Sequence, residues 1–239
     1  MAFQPPLALL LKNGGQERNI CFLNSIVQIL RHVPEYVAEL QTKASAFPVL
    51  NSLYALYSNC GTYEHISALP LRRQIAAATH TDINSGQQQD AIEVLGYILN
   101  LGSTNLFKLE YITEYRFWIN NQASPCPECK SNLPSVPASD NLLRLALPNS
   151  WNDPGPLTLQ IVLNRHFSIQ LQSERQCATC PKRLPYATKL HVSKFPKYVI
   201  IQLVRMKYVN NAIVKNCIRV EIPDFALVDK VQYEVIGSI

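Results

Sequence analysis

The chain has 239 residues, 47% of them hydrophobic and 16% charged, with a formal net charge of +5. That is enough apolar material for one large domain or two small ones, and it holds no low-complexity tract or internal repeat. Apolar runs such as "PLALLL" and "YVIIQLV" are too short to cross a bilayer, and the first lacks the basic flank of a secretory leader. The lysines and arginines are scattered with no run of four, which argues against a nucleic-acid surface.

The first hundred residues read as helical. In "RNICFLNSIVQIL", Leu23, Ile26, Val27 and Leu30 recur at i, i+3, i+4 and i+7, one apolar face of a helix that starts near Asn19 and stops before Pro34. Further helices are predicted over 47–59 and 71–79. The clearest runs through "SGQQQDAIEVLGYILNLG", 85–102, with Ser85 and Gln88 as a capping box. Its buried stripe is Ala91, Leu95, Ile98 and Leu99, and Gly102 is its stop. This helix is expected to pack on the one that begins near Asn19.

After Phe107 the texture changes. "LEYITEYRFWI", "LTLQIVL", "HFSIQL", "ATKLHV", "YVIIQLVRM", "CIRVEI" and "VQYEVI" carry strand signals. "YVIIQLV" is nearly all apolar, which predicts a central strand buried on both faces. Residues 121–156 are proline-rich and predicted to be loop-rich. The expectation is α+β, a helical half followed by a β half.

Four of the seven cysteines form two C-x-x-C pairs, Cys126 and Cys129 in "CPEC" and Cys177 and Cys180 in "CATC". In a non-secreted chain such pairs favour a metal over disulfides. Zn²⁺ takes four ligands in a tetrahedron, and two intervening residues let a tight turn aim both sulfurs at one ion. The 47 residues between the pairs exceed a compact ribbon, but the entropy of the longer loop grows only logarithmically. Four thiolates leave no open position for water, so the predicted Zn²⁺ is structural.

Cys21 stands at the start of the first helix. Backbone N–H groups and the macrodipole there stabilise a thiolate. Asn19, read as the cap, can also donate a hydrogen bond to a developing oxyanion. The other reading of Cys21 is a small core residue.

"NICFLNSIVQIL" resembles the cysteine box of the ubiquitin-specific proteases, G-N-T-C-[FY]-[LM]-N-S-x-[LV]-Q, through Asn19, Cys21, Phe22, Leu23, Asn24, Ser25 and Gln28. "GQQQDAIEVLGYIL" resembles their Q-Q-D-A-H-E-F-L helix, through Gln88, Gln89, Asp90, Ala91, Glu93 and Leu95. The two C-x-x-C pairs have that family's wide spacing. "FPKYVIIQLVRM" looks like its L-P-x-x-L-I-[IV]-x-L-K-R-F strand, and "VQYEVIGSI" like the strand that leads into its histidine box. The resemblance implies a papain-like cysteine protease fold: a helical thumb (1–108), β fingers carrying a zinc knuckle (109–194) and a truncated β palm (195–239). It makes Cys21 the nucleophile and Asn19 the oxyanion donor, and it places Gln89, Asp90 and Glu93 near the arginine-bearing tail of ubiquitin. Ubiquitin or ubiquitinated proteins are the implied partners, and cytoplasm or nucleus the implied location.

The pattern departs in places. Arg18 and Ile20 replace the usual glycine and threonine of the cysteine box, and "NGGQERN" is about two residues longer than the family's approach loop. Ile92 and Val94 replace histidine and phenylalanine of the second motif, and Val204 and Met206 replace lysine and the final aromatic of the strand motif. A thiolate needs a base, which the family takes from a G-H-Y segment. The five histidines are His32, His65, His80, His166 and His191, and none has that context. The chain 1–239 is therefore expected to be inactive by itself, within a thiol deubiquitinase. Alternatives are a non-catalytic ubiquitin-binding scaffold and, more distantly, a zinc-ribbon nucleic-acid binder.

Overall fold

A computed structural model describes residues 11–12, 19–59, 65–80, 83, 89–102, 105–209 and 212–237. The described residues up to Leu106, with Ile236 and Gly237, form one unit, and Phe107–Val235 form the other.

The first unit is helical: α1 Cys21–Leu30, α2 Pro34–Lys43, α3 Pro48–Ser58, α4 Leu69–Thr79 and α5 Ala91–Gly102, with a 3-10 turn at Ala44–Ala46 after α2. The predicted stripe of α1 is the buried one: Leu23, Ile26, Val27 and Leu30 are at most 1% exposed, and Phe22 joins them. Burying each such side chain contributes about 1.5–3 kcal/mol. As expected, α1 packs on α5, while α3 packs on α2, α4 and α5. Proline opens α2, α3 and α4, where its missing N–H has no helical partner to lose. At the end of α5, Lys43 Nζ donates to the Gly102 carbonyl at 2.7 Å, a cation on a helix C-terminus.

Two helix starts differ from expectation. The N-cap of α1 is Ile20, with no side-chain cap bond, and Asn19 precedes it in the left-handed region at φ 55°. Asparagine tolerates that conformation, and it turns the chain into the helix one residue later than predicted. The other start is that of α5, at Ala91. Asp90 Oδ1 accepts from the Ile92 N–H at 2.8 Å, so Asp90 is the cap. The predicted capping box, Ser85 and Gln88, lies outside the described residues. Val94 is buried beside Leu95, Ile98 and Leu99, and Ala91 is only half-buried.

In the second unit the long strand β1, Leu109–Ile119, organises the sheet. Asn120 and Asn121, both at positive φ, make a two-residue hairpin turn into β2, Gln122–Ser124. β3, Val136–Asp140, shares that edge of β1 nearer its start. Along the other edge runs β6, Arg183–Lys194, antiparallel, and β5, Gln170–Gln176, closes the order β2-β1-β6-β5. A parallel pair, β4 Leu143–Ala146 with β7 Ile201–Val204, and two hairpins, β8 Met206–Val209 with β9 Ala212–Lys215 and β10 Phe225–Val228 with β11 Val231–Glu234, complete the strands.

Four strand expectations fail here. "LTLQIVL" is helical: α6 spans Leu159–Phe167, and Thr158 Oγ1 accepts from the Ile161 N–H at 3.3 Å as its cap. Leu159, Val162 and Leu163 face a core that includes Leu143, Leu145, Leu157, Ala226 and Val228. "HFSIQL" splits between the end of α6 and the start of β5. "CIRVEI" is irregular apart from a single bridge from Glu221 to Thr158. "YVIIQLV" supplies only β7, which has one neighbour strand among the described residues and is half-buried rather than covered on both faces. α6 also caps the outer side of β10. The Gln160 side chain accepts from the Leu227 N–H at 2.7 Å and donates to the Leu227 carbonyl at 3.2 Å.

Candidate active site and metal centre

The metal centre follows from the register of β1. Phe117 faces Ser124 of β2 on one edge and Tyr186 of β6 on the other. The loop after β2 and the loop between β5 and β6 therefore emerge at the same end of the sheet. The first carries Cys126 and Cys129, the second Cys177 and Cys180. Each loop folds into a tight turn. The Cys126 N–H donates to the Ser131 carbonyl and the Lys130 N–H to the Cys126 carbonyl, at 2.9 and 2.8 Å, with Lys130 left-handed at φ 60°. The Cys177 N–H donates to the Lys182 carbonyl at 2.8 Å. Phe117, fully buried, floors the site with Leu133.

All four Sγ atoms lie within 4.8 Å of one another. Cys126 is 3.7 Å from Cys180, and Cys129 is 3.5 Å from Cys177. Four sulfurs on a tetrahedral ion at about 2.3 Å stand about 3.8 Å apart, so the group fits a zinc ion. Ser131, absent from the sequence reading, lies between the pairs. Its hydroxyl is 3.0 Å from Cys129 Sγ and 3.1 Å from Cys177 Sγ. Ser131 and then the Thr179 N–H pull the Cys177 thiol down to about 6. On Cys180 the Lys182 N–H pulls the same way, but burial and the three facing sulfurs outweigh it and hold that thiol at about 12. Crowded sulfurs that oppose one another's ionisation in this way are relieved by a divalent cation.

In the helical unit Cys21 is the first residue of α1 and its thiol is exposed, while Ile20 and Phe22 on either side are buried. The core-residue reading of Cys21 is thus replaced by a thiol held in water at a helix N-terminus. Asn19 lies two residues before it, exposed, and is not the cap. The other candidate residues sit at the start of α5, with Gln89 half-buried and Asp90 and Glu93 exposed. Among the described residues no histidine hydrogen-bonds Cys21. His32 lies beyond the far end of α1, about 15 Å along the axis at 1.5 Å per residue, and its Nδ1–H donates to the Gln28 carbonyl at 2.6 Å. His80 ends α4 in the left-handed region, His191 stands beside Glu114 at 3.7 Å, and His166 meets the Phe167 ring edge-on.

The ubiquitin carboxyl-terminal hydrolase family model matches residues 11–235. The chain belongs to that family. It is a ubiquitin-specific protease domain of mixed helix and sheet. Its fold is similar to the SAGA DUB module Ubp8/Sgf11/Sus1/Sgf73 bound to ubiquitin aldehyde, at a TM-score of 0.69 and 16% identity, over 93% of this chain and 54% of that one. It is also similar to that module bound to monoubiquitin, at 0.66 and 16%, over 94% and 55%. A third likeness is to yeast SAGA DUBm with an Sgf73 variant, at 0.68 and 16%, over 93% and 55%. The ubiquitin-specific protease domain thus spans about half the length of the chains it matches. No curated protein matches it in sequence.

Proposed function

We propose that this ubiquitin-specific protease domain binds ubiquitin and that Cys21 is the nucleophile for cleavage after ubiquitin's terminal glycine. The observation that carries the reading is the thiol of Cys21, exposed at the first position of α1 within the matched segment. The Cys21 sulfur adds to the carbonyl carbon, the bond to the leaving amine breaks as that amine takes a proton, and water hydrolyses the thioester. Asn19 donates to the oxyanion. Gln89, Asp90 and Glu93 receive the arginine-bearing ubiquitin tail, the carboxylates through charge-assisted bonds. Cys126, Cys129, Cys177 and Cys180 hold a structural Zn²⁺ that supplies no chemistry to the reaction. No helix among the described residues is long and apolar enough to cross a membrane, and reduced thiols fit the cytoplasm or nucleus.

Ubiquitin bearing a C-terminal electrophile and a fluorogenic ubiquitin C-terminal amide test the reading together. The expected result is a covalent adduct on Cys21 that Cys21→Ala abolishes. Turnover lost in the same variant makes the domain a protease. The histidines favour a second reading, a scaffold that binds ubiquitin without turnover, since none among the described residues hydrogen-bonds Cys21. That reading predicts ubiquitin affinity unchanged by Cys21→Ala, with neither adduct nor turnover in the wild type. That result would remove Cys21 as nucleophile.

A further inference from the structure

We propose that the fork between residues 151–157 and 218–221 receives a peptide C-terminus: the carboxylate takes the main-chain N–H groups of Leu157 and Arg219 together with the Arg219 guanidinium, and the last side chain lies against Trp151 and Ile218. The two stretches meet at a parallel bridge, Thr158 with Glu221. There the Glu221 N–H donates to the Leu157 carbonyl and the Leu159 N–H to the Glu221 carbonyl, both at 2.8 Å. Carried one step back, a parallel ladder would bond the Leu157 N–H to the Arg219 carbonyl and the Arg219 N–H to the Gly155 carbonyl. Among the described residues neither bond forms. The Trp151 indole N–H takes the Gly155 carbonyl instead, at 2.7 Å. The two chains part at that point, and a cleft of about 320 Å³ lies between them.

The cleft has the parts that a chain terminus needs. Its lining is Trp151, Pro156, Leu157, Ile218, Arg219 and Glu221. Trp151 and Ile218 pack half-buried against the core under α6, and Leu157, 1% exposed, belongs to that core. The Leu157 N–H is a buried donor with no partner among the described residues. A buried polar group left unpaired is uncommon and calls for a ligand or a water. The Arg219 N–H and carbonyl have no main-chain partner there either, so the fork offers two donors and an acceptor. Two N–H groups beside a guanidinium are the chemistry that captures a terminal carboxylate. The Arg219 carbonyl is then left to accept the N–H of the ligand's last residue. A bare inorganic anion would leave both that acceptor and the indole wall unused.

Both walls are held before any ligand arrives. The Arg165 guanidinium of α6 lies over the Trp151 ring, 4.9 Å from its centre. Arg205 Nη1 donates to the Asn216 and Ile218 carbonyls at 3.3 and 2.7 Å and fixes the start of the second stretch. Preorganisation of this kind lowers the cost of binding. Glu221 is the acidic residue of the lining. Its carboxylate opposes an incoming anion, which confines the ligand carboxylate to the Arg219 side of the cleft.

The test titrates the full chain with an N-terminally labelled tetrapeptide that ends in phenylalanine, as the free acid and as the C-terminal amide. Fluorescence anisotropy reads binding, and the amide resonances of Leu157 and Arg219 read its place. The acid is expected to bind saturably and to move both resonances to lower field. The amide should bind at least about tenfold more weakly, the worth of a hydrogen bond to a charged group. A peptide ending in glycine should lose about as much, for want of a side chain to bury. Arg219→Gln should weaken the acid about tenfold, and Glu221→Gln should tighten it severalfold by removing the opposing charge. Both side chains are exposed, so the fold is kept. Equal binding of acid and amide overturns the proposal, as does binding unchanged in Arg219→Gln, weakened by Glu221→Gln or absent at millimolar peptide. Acetate that competes as well as the peptide overturns it too, because the cleft would then hold a bare anion.

Discussion

Ser131 shows how much one hydroxyl can do. Lying 3.0 and 3.1 Å from two sulfurs of different pairs, it donates to a thiolate whichever way it turns. Outer donors of this kind orient ligands and tune affinity. Ser131→Ala is expected to lower Zn²⁺ affinity about 10–100-fold, read by competition with a chromogenic chelator, with the fold intact in saturating metal. His166 is a second single-residue case. Burial lowers its pKa from 6.5, so the unfolded chain takes a proton more readily than the folded one. Its contribution to stability is present above about pH 6.5 and is lost as pH falls below that. His166→Gln should flatten the fall in denaturation midpoint on acidification from pH 7 to 5. An unchanged slope would show that the acid sensitivity lies elsewhere.

Elements show which signals reached the fold intact. α1 was legible because its stripe is strong and Pro34 stops it, and β1 was legible because "LEYITEYRFWI" is β-branched and aromatic throughout. α6 was not. In "LTLQIVL" Leu157, Leu159, Ile161 and Leu163 alternate as a strand would, while Leu159, Val162 and Leu163 recur as a helix would. So short a run cannot decide between the two periods, and the Thr158 cap with the core facing α6 settles it. The cysteine spacing within each pair was legible, but the meeting of the pairs depended on β1 running between β2 and β6, a pairing no local pattern encodes. The α5 cap has its own consequence. Asp90 holds the helix start and also faces the proposed ubiquitin tail, so Asp90→Lys would confound two effects. Asp90→Asn keeps a capping oxygen and removes the charge, whereas Asp90→Ala loses the cap at about 1 kcal/mol. Asparagine and Glu93→Lys should both weaken ubiquitin binding with the melting temperature held. Equal affinity in both variants would remove α5 from the ubiquitin surface.

For the molecule as a whole, the proposed zinc ion couples to the fold. The knuckle end of the β1 sheet has Phe117, Leu133 and the cysteines as its core, and a structural zinc site contributes its binding energy directly to folding. Removing Zn²⁺ with a strong chelator is expected to lower the melting transition of the β unit and leave that of the helical unit in place. It should also expose four further thiols to a titrating reagent, one for each metal-site cysteine. A single unshifted transition would show that the sheet stands without metal. The amide of Gln160, bonded to both polar groups of Leu227, does for β10 what an added strand would do. It occupies the N–H and the carbonyl through which a foreign chain could zip onto this border. A solution of Gln160→Ala would therefore keep its shape when dilute and turn cloudy on concentration, a one-residue guard against fibrous self-association.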